Sequence, residues 1–357
     1  MRALRLAPNR LRRFYRGGAG IAELRGIADD QEYAPEDWVG STTAAFGSET
    51  EGMTTLPGGE LLRDEIAADP KAWLGPGHAA AHGADPALLV KLLHAGERLP
   101  VHCHPDDAFA AAQLYRPCGK TEAWVIVEVP SAAPGEVFLG FQEEIQPDTL
   151  VAWVESQEVE SLLDALNRVP VQPGDALLVP AGVPHAIGAG ILLVELQQPT
   201  DLSVLLEWKG FAVDGEADGH VGIGFHRALA CVDRSAWDRA RLAGTRTAGP
   251  SHGHGGALRR LLPDAADRFF RAERIRPGGT AVELEPAFSI VVVIEGAGRL
   301  DLAADPGGAL RLMKGDTVLV PYGAGATSLG GPLDAIRCLP PRLAAAPAGT
   351  APAPAGS

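Results

Sequence analysis

The sequence predicts a mainly β protein made of two related β-barrels, with a few helices between and around them. Short apolar segments recur along the chain, among them 123–129, 136–141, 176–179 and 191–196. Turns that contain Pro-Gly or Ala-Gly pairs separate these segments, which is the pattern of many short strands in an all-β fold. The chain has 29 prolines and 43 glycines, and this content suits a fold with many turns.

An internal repeat predicts that there are two barrels. The string Gly174-Asp-Ala-Leu-Leu-Val-Pro-Ala-Gly-Val-Pro-His185 recurs as Gly315-Asp-Thr-Val-Leu-Val-Pro-Tyr-Gly-Ala-Gly-Ala326. The glycines and prolines keep the same spacing in both copies, as expected for two copies of one structural unit. The last position is His185 in the first copy and Ala326 in the second, so we expect a metal ligand there only in the first barrel.

The remaining segments give the domain organisation. We expect residues 1–87 to pack on the first barrel and to include a helix near 60–67, since Leu61, Leu62 and Ile66 lie on one face. The first barrel is predicted over 88–208, with a helical insertion at about 148–168 formed by helices 148–154 and 161–168. A helical connector over 209–267 includes an amphipathic helix from 226 to 242 and a His/Gly-rich linker at 249–256. The second barrel, without metal, is predicted over 268–340, and an Ala/Pro-rich tail over 341–357 is predicted to be disordered.

The charge and composition of the chain argue against several classes of partner and location. The net charge of −14 argues against nucleic acid and anionic membranes as partners, because both require a basic face. No stretch approaches the roughly 20 apolar residues of a membrane span, and the N-terminus lacks the apolar block of a secretory signal. The four cysteines are far apart and form no CxxC pair. We therefore expect a cytoplasmic protein; the sequence does not indicate an oligomeric state.

Three segments carry side chains that can bind a metal ion. His102 and His104 fall where a strand is expected, so both side chains point to the same face. Lys120 and Glu122 repeat this spacing, and His185 follows a Pro-x-Gly turn. Three imidazoles and one carboxylate suit Zn²⁺, and also Mn²⁺, Fe²⁺ or Ni²⁺. We predict a zinc site formed by His102, His104, Glu122 and His185.

An isolated His-x-His pair is more often two surface or core histidines, but longer motifs surround this one. Gly96, His102-x-His104 and the Gly174 to His185 string match both halves of the cupin signature. The segments 92–107, 119–124 and 180–190 resemble the type I mannose-6-phosphate isomerases, which are zinc cupins; Glu195-Leu-Gln-Gln198 with Asp201 extends the match, and 36–41 does so more weakly. This resemblance implies jelly-roll barrels and a zinc-dependent interconversion of mannose 6-phosphate and fructose 6-phosphate. It also implies that His104, Glu122 and His185 bind the metal and that Lys120 lies close to the substrate.

The chain departs from the family at two positions. The family usually has glutamine at the position of His102, and imidazole is the better ligand, so metal binding should survive. The family also carries an arginine, regarded as catalytic, four residues after the aspartate that matches Asp201; here that residue is Leu205. Leucine can neither stabilise an oxyanion nor hold a phosphate. The candidates to replace it are Lys209, Arg227 and Arg116.

Aldose–ketose isomerisation requires stabilisation of the charge that develops on a carbonyl oxygen, and a divalent ion can supply it. We expect Lys120 and Asp201 to be catalytic, Lys120 contacting substrate oxygens or phosphate and Asp201 orienting the substrate or carrying the proton. Asp107 is a candidate for substrate binding, with a turn-forming role as the alternative. Leu205 leaves two other functions open, an isomerase of a different sugar phosphate and a non-catalytic sugar-binding cupin. A metal-dependent oxygenase is a third alternative, which the position of Glu122, 18 residues after His104, does not exclude.

Overall fold

The structure of the protein is a computed structural model that describes residues 1–28, 31–247, 257–305 and 307–343. The strands in these ranges are β1 Leu4–Arg5, β2 Arg10–Leu11, β3 Glu36–Val39, β4 Leu89–His94, β5 His102–Cys103, β6 Glu122–Glu128, β7 Gly135–Phe141, β8 Leu166–Val171, β9 Ala176–Val179, β10 His185–Ile187, β11 Leu192–Gln197, β12 Val204–Leu205, β13 Leu258–Arg260, β14 Arg271–Ile275, β15 Val282–Leu284, β16 Ser289–Leu302, β17 Leu310–Met313, β18 Thr317–Val320, β19 Thr327–Gly330 and β20 Leu333–Leu339.

The helices are short and lie between the strands. They are α1 Gly20–Arg25, α2 Leu62–Ala68, α3 Pro70–Leu74, α4 Pro76–His82, α5 Asp107–Phe109, α6 Pro147–Ser156, α7 Val159–Ala165, α8 Gly215–Asp218, α9 Phe225–Ala228 and α10 Arg239–Gly244. Single 3₁₀ turns lie at Leu229–Cys231, Asp264–Ala266 and Tyr322–Ala324, and a π-helical turn follows α5 at Ala110–Leu114. The predicted fold class, mainly β with a few helices, is confirmed.

Two antiparallel sheets form the first barrel. One has the strand order β2-β3-β4-β11-β6-β9 and the other has the order β12-β5-β10-β7-β8. Residues of β11 alternate between two cores, since Leu192 and Val194 pack into a core shared with the second barrel while Leu193 packs with Trp124 and Ile126 in another. This alternation follows from the period of two along a strand, and it explains why β11 is apolar on both faces.

A third sheet, with the order β1-β18-β16-β20-β14-β13, builds the second barrel. Strand β16 is long enough to pair with β18 and β20 along its first half and with β17 and β19 along its second half. We expected the N-terminal segment to pack on the first barrel. It contributes strands to both barrels: β1 pairs with β18 of the second barrel, whereas β2 and β3 extend the first-barrel sheet that contains β4.

The repeated string folds alike in its two copies. Gly174 and Gly315 both adopt a positive φ, at 92° and 85°, in the turns that precede β9 and β18. Each copy then leaves its strand at a proline and turns before the next strand begins, at β10 in the first copy and β19 in the second. His185 is thereby the first residue of β10, and Ala326 lies immediately before β19.

Two predicted helices differ in the structure. The predicted helix 226–242 is wrong, because after α9 and a 3₁₀ turn the backbone of 233–237 bonds to the first barrel: the N–H of Asp233 donates to Gly182 and that of Trp237 donates to Phe141. Trp237 is 5% exposed, so its burial against the barrel outweighs local helix propensity. The predicted helix 161–168 ends early as α7, because Leu166 begins strand β8 and pairs with Phe141.

Some predictions fall on residues that the structure does not describe. The His/Gly-rich linker 249–256 lies outside the described residues, as does the predicted disordered tail from residue 344 onward. Within the described ranges, no helix has both the length and the apolar character that a membrane span requires.

Candidate metal centre and active site

Three imidazoles from two paired strands converge in the first barrel. Strand β10 pairs with β5 so that His185 lies opposite His102, and His104 follows directly after β5. The ring centroids of His102 and His185 are 4.2 Å apart, and each lies 5.0 Å from that of His104. One ring nitrogen from each of the three histidines lies within 4.8 Å of the other two, so the three could hold one metal ion.

The backbone fixes the orientation of each ring. Nδ1 of His102 lies 2.8 Å from the carbonyl oxygen of Pro100, Nδ1 of His104 lies 2.8 Å from that of Leu202, and Nδ1 of His185 lies 2.8 Å from that of Val183. A carbonyl oxygen only accepts, so each Nδ1 carries the proton and each Nε2 keeps its lone pair. This arrangement leaves Nε2 as the ligand atom, and it holds each ring as histidine ligands of metals are usually held.

Glu122 completes the group from the facing sheet. It is the first residue of β6, and its Oε2 lies 3.1 Å from Nε2 of His104 while its Oε1 lies 3.3 Å from Nε2 of His185. The indole N–H of Trp124 donates to Oε1 over 3.0 Å and steadies the carboxylate. Nζ of Lys120 lies 3.3 Å from Oε2 of Glu122 and 3.2 Å from Nε2 of His104.

Burial and neighbouring charges set the ionisation of this group. Burial lowers the pKa of His104 to about 3, and the cation of Lys120 acts in the same direction. Burial also lowers the pKa of His102, as do the other two histidines. Burial alone would raise the pKa of Glu122, but Lys120 and His104 hold it well below its usual range. His102 and His104 are therefore neutral imidazoles beside a carboxylate, which are the protonation states that metal binding requires.

Two buried atoms of the group indicate that a cation belongs there. Nε2 of His185 is buried and makes no hydrogen bond within the described part of the chain; Oε2 of Glu122 is likewise buried without a hydrogen bond, although Nζ of Lys120 lies 3.3 Å from it as an ion pair. A buried polar atom without a partner is costly, and native proteins rarely leave one unsatisfied. A divalent ion between these atoms would satisfy both, and three imidazoles with one carboxylate are a donor set that Zn²⁺ accepts. The residues present therefore fit a metal ion.

A cavity of 540 Å³ opens onto one side of this group. His102, His104 and Lys120 lie on its wall, whereas Glu122 and His185 do not and are each 1% exposed. Asp201 and Leu205 also line the cavity. A small molecule in the cavity would thus meet the open side of the three-histidine group and the ammonium of Lys120.

Asp201 reaches the cavity with both carboxylate oxygens engaged. Its Oδ1 and Oδ2 accept hydrogen bonds from the guanidinium of Arg13 at 2.9 and 3.1 Å, and Oδ2 also accepts from the N–H of Phe46 at 3.0 Å. Burial would raise the pKa of Asp201, but Arg13 and Lys91 lower it. Asp201 is therefore a carboxylate held in a fixed position.

Asp107 lies apart from the cavity. Its Oδ1 accepts hydrogen bonds from the N–H of Gly119 and from Nε2 of Gln198, both at 2.8 Å. Gly119 immediately precedes Lys120, so these bonds brace the chain that carries the lysine. This arrangement agrees with the turn-forming alternative for Asp107, and it does not bring the carboxylate to the cavity wall.

The structure brings none of the three proposed replacements for the family arginine to this cavity. Leu205 itself lines it, on strand β12 directly opposite His102. Arg116 lines a separate cavity, the guanidinium of Arg227 donates to Gln113 on the surface, and Lys209 is exposed.

The arginine that does line the cavity is Arg13, which sequence reasoning missed. Its side chain is 16% exposed and lies between Asp201 and Glu36, and Glu36 also accepts from Trp38 and from the hydroxyl of Tyr15. Nζ of Lys91 lies 3.4 Å from Glu36. In the sequence Arg13 belongs to a basic stretch, which gives no sign that it is buried. The sequence signal closest to its ion pairs with Glu36 and Asp201 was the weak family match at 36–41.

Comparison with known proteins agrees with this geometry. No family model matches the chain. Over 249 residues it is 29% identical to mannose-6-phosphate isomerase ManA of Bacillus subtilis, a match that covers 68% of this chain and 72% of that protein. The chain is similar in sequence to mannose-6-phosphate isomerases. A second relative, the mannose-6-phosphate isomerase of Streptococcus mutans, is 28% identical over 188 residues, which cover 52% of this chain and 54% of that protein.

These relatives confirm two predictions, the resemblance to this family and an enzyme of the isomerase class. Solved structures confirm the cupin fold. The crystal structure of the Bacillus subtilis mannose 6-phosphate isomerase matches with a TM-score of 0.73 and 23% identity, covering 95% of this chain and 99% of that one. A mannose 6-phosphate isomerase solved with zinc and yttrium matches with a TM-score of 0.71 and 17% identity over 95% of this chain and 100% of that one.

Proposed function

We propose that the protein is a zinc-dependent isomerase that interconverts mannose 6-phosphate and fructose 6-phosphate. The observation that supports this most is the convergence of His102, His104, His185 and Glu122 beside the cavity that Lys120 lines. The homologues are named for this reaction, and one protein of the same fold was solved with bound zinc.

His102, His104, Glu122 and His185 would hold the ion, each histidine through Nε2. A bound divalent ion would act as a Lewis acid toward the carbonyl oxygen of the open-chain sugar, where negative charge develops as a proton leaves the neighbouring carbon. The backbone carbonyls that accept from each Nδ1 keep the three rings in place before substrate arrives, so little reorganisation is needed during the reaction.

Lys120 would supply a second positive charge to the substrate oxygens. Its side chain is 7% exposed and its ammonium touches both Glu122 and His104, so it is held at the cavity wall. A donor fixed in a buried site stabilises a developing oxyanion far more than a mobile surface lysine would.

Asp201 would orient the substrate. Because Arg13 holds it as a carboxylate with a lowered pKa, it is a weak proton acceptor, and we assign it to accepting hydrogen bonds from sugar hydroxyls and not to moving the proton. For Asp107 we propose a bracing role behind Lys120, since Gly119 and Gln198, which donate hydrogen bonds to it, belong to the surrounding loops.

A coupled assay of fructose 6-phosphate formation tests the proposal. Metal-loaded protein should turn over mannose 6-phosphate, EDTA should abolish turnover, and added Zn²⁺ should restore it. His185→Ala should lose both the bound metal and the activity, whereas His226→Ala, at an exposed histidine on α9, should keep both. Metal-loaded wild-type protein that does not turn over mannose 6-phosphate would contradict the proposal.

An isomerase of a different sugar phosphate is the second candidate. Leu205, an apolar side chain on the cavity wall opposite His102, favours it, because a substrate that placed its phosphate there would find no partner. A panel of hexose and pentose phosphates, compared by kcat/KM in the same preparation, distinguishes the two candidates.

A further inference from the structure

Phe46 is a large apolar side chain that the structure leaves 52% exposed. Its neighbour Ala45 is 8% exposed and packs in a small core with Leu11, Trp38 and Leu89. The chain therefore turns between the two residues, with one side chain in the core and the next one outside it.

The ring lies where two cavities adjoin. Phe46 and Gly47 line the 540 Å³ cavity that contains His102, His104 and Lys120, and they also line a second cavity of 420 Å³. Asp201 is shared between the two cavities as well. Phe46 therefore stands beside the opening of the metal-site cavity and not on a remote part of the surface.

The loop that carries Phe46 is held in place. The N–H of Phe46 donates to Oδ2 of Asp201 over 3.0 Å, and Asp201 is itself fixed by two hydrogen bonds from Arg13. The N–H of Ala45 donates to the carbonyl of Glu51, and Gly47 turns the chain with a φ of 84°. A residue with a side chain rarely adopts this φ, so the glycine makes the tight turn possible.

The cavity wall carries polar groups beside the metal group together with apolar residues such as Leu99 and Leu205. Arg13, Asp201, Lys120 and the histidines can bind the hydroxyl, carbonyl and phosphate oxygens of a sugar. A hexose also has a face made of C–H groups, and apolar or aromatic side chains are what ligand sites place against such surfaces. Phe14, Tyr15 and Phe46 are aromatic residues that line the cavity, and Phe46 is the most exposed of the three, so it is the one best placed to receive that face.

We propose that Phe46 is a specificity-determining residue whose ring covers the C–H face of a hexose phosphate bound at the metal group. Asp201, which we assign to the sugar hydroxyls, also fixes the backbone that carries this ring, since it accepts from the Phe46 N–H while Arg13 holds it. This inference rests on the function proposed above. It adds a residue that contacts the C–H groups of the sugar, whereas the residues discussed above contact its oxygens.

The ring should affect binding of the sugar and leave the chemical step alone. Covering the exposed half of a phenylalanine removes apolar area from water, which corresponds to an effect of about tenfold on affinity. Phe46→Ala should therefore raise KM for mannose 6-phosphate about tenfold while kcat changes less than about twofold. Phe46→Tyr and Phe46→Leu, which restore an apolar body, should return KM to within about threefold of the wild-type value.

Inorganic phosphate serves as the probe that lacks a sugar ring. Its competitive inhibition constant should be equal in wild-type protein and Phe46→Ala, because phosphate presents no C–H face. Tyr115→Ala, which removes an aromatic ring that is 90% exposed and lines neither cavity, is the matched control and should leave KM unchanged. The thermal unfolding midpoint of Phe46→Ala should match that of the wild type, because the lost ring is half exposed.

The outcomes separate the two proposals. An unchanged KM in Phe46→Ala overturns the role of Phe46, and so does an equal rise in KM and in the phosphate inhibition constant. Wild-type protein without turnover contradicts the proposed function instead. In that case calorimetry can still measure the affinity of metal-loaded wild type and Phe46→Ala for mannose 6-phosphate. A lower affinity in the variant supports the role of Phe46, and equal affinities overturn it.

Discussion

Oε2 of Glu122 lies 3.1 Å from Nε2 of His104, and both side chains are almost fully buried. The two residues belong to different sheets of the barrel, since Glu122 begins β6 and His104 follows β5. A carboxylate and a neutral imidazole at this distance, with a second imidazole 3.3 Å from the same carboxylate, have the spacing expected of ligands that surround one ion.

Glu122→Gln should weaken Zn²⁺ binding at least tenfold. The amide keeps the size of the carboxylate but removes its charge, and a neutral oxygen is a poorer ligand for a divalent ion. Competition with a chromophoric chelator gives the Kd. The matched control is Glu128→Gln at the exposed end of the same strand, which should leave the Kd unchanged; equal affinities in wild type and Glu122→Gln would contradict the assignment of Glu122.

Lys120→Met should lower kcat by about a hundredfold or more while the protein keeps one bound metal ion. The methionine preserves much of the side-chain volume, but it removes the donor that we assign to the substrate oxygens, and loss of such a donor costs about 10²–10³ in rate. Steady-state kinetics and metal analysis check this together. Lys209→Met, at an exposed lysine, is the control, and a Lys120→Met enzyme with wild-type kcat would exclude Lys120 from the chemistry.

Arg13→Met should destabilise the protein by about 3–5 kcal/mol, because it leaves Asp201 and Glu36 as buried carboxylates without their main partner. The guanidinium contacts both, and its side chain is 16% exposed. Urea unfolding measures the change in the free energy of unfolding. Arg12→Met, at the exposed neighbouring arginine, should change it by less than about 0.5 kcal/mol, and a similarly small change in Arg13→Met would contradict this role.

Stability should also fall in acid through Glu36. Burial would raise the pKa of Glu36, but Arg13 and Lys91 hold it well below its usual range, so its folded pKa lies below its unfolded pKa. The stabilisation is therefore fully present above the unfolded pKa of about 4.3 and is lost as the pH falls toward the folded pKa. Between pH 5 and pH 3 metal-free wild type should lose more stability in urea than metal-free Glu36→Gln; parallel losses would contradict the shift.

Local sequence was enough to identify the candidate ligands, although long-range pairing of β10 with β5 is what brings them together. The i, i+2 spacing of His102 and His104 places both rings on one face, and the Pro-x-Gly turn sets His185 at the start of β10. Each of these features depends on a few neighbouring residues, so a sequence motif is enough to predict it. The same is true of the repeat, whose glycines adopt a positive φ at equivalent turns.

The parts that could not be predicted depend on contacts between distant segments. Arg13 and Asp201 are 188 positions apart, and nothing near Arg13 indicates that it is buried against a carboxylate. The segment 226–242 has the periodicity of a helix, yet Asp233 and Trp237 bond to Gly182 and Phe141 of the barrel. Tertiary hydrogen bonds and the burial of Trp237 overrode the local pattern, and the sequence alone does not show which partner a backbone will find.

The most direct test of the account is a titration of metal-free protein with Zn²⁺, with mannose 6-phosphate isomerase activity measured at each addition. We expect activity to rise in proportion to added metal and to stop rising at one equivalent per chain, because we assign one group of four side chains to the ion. Activity that is already complete without metal, or protein that binds one equivalent and shows no turnover, would contradict it.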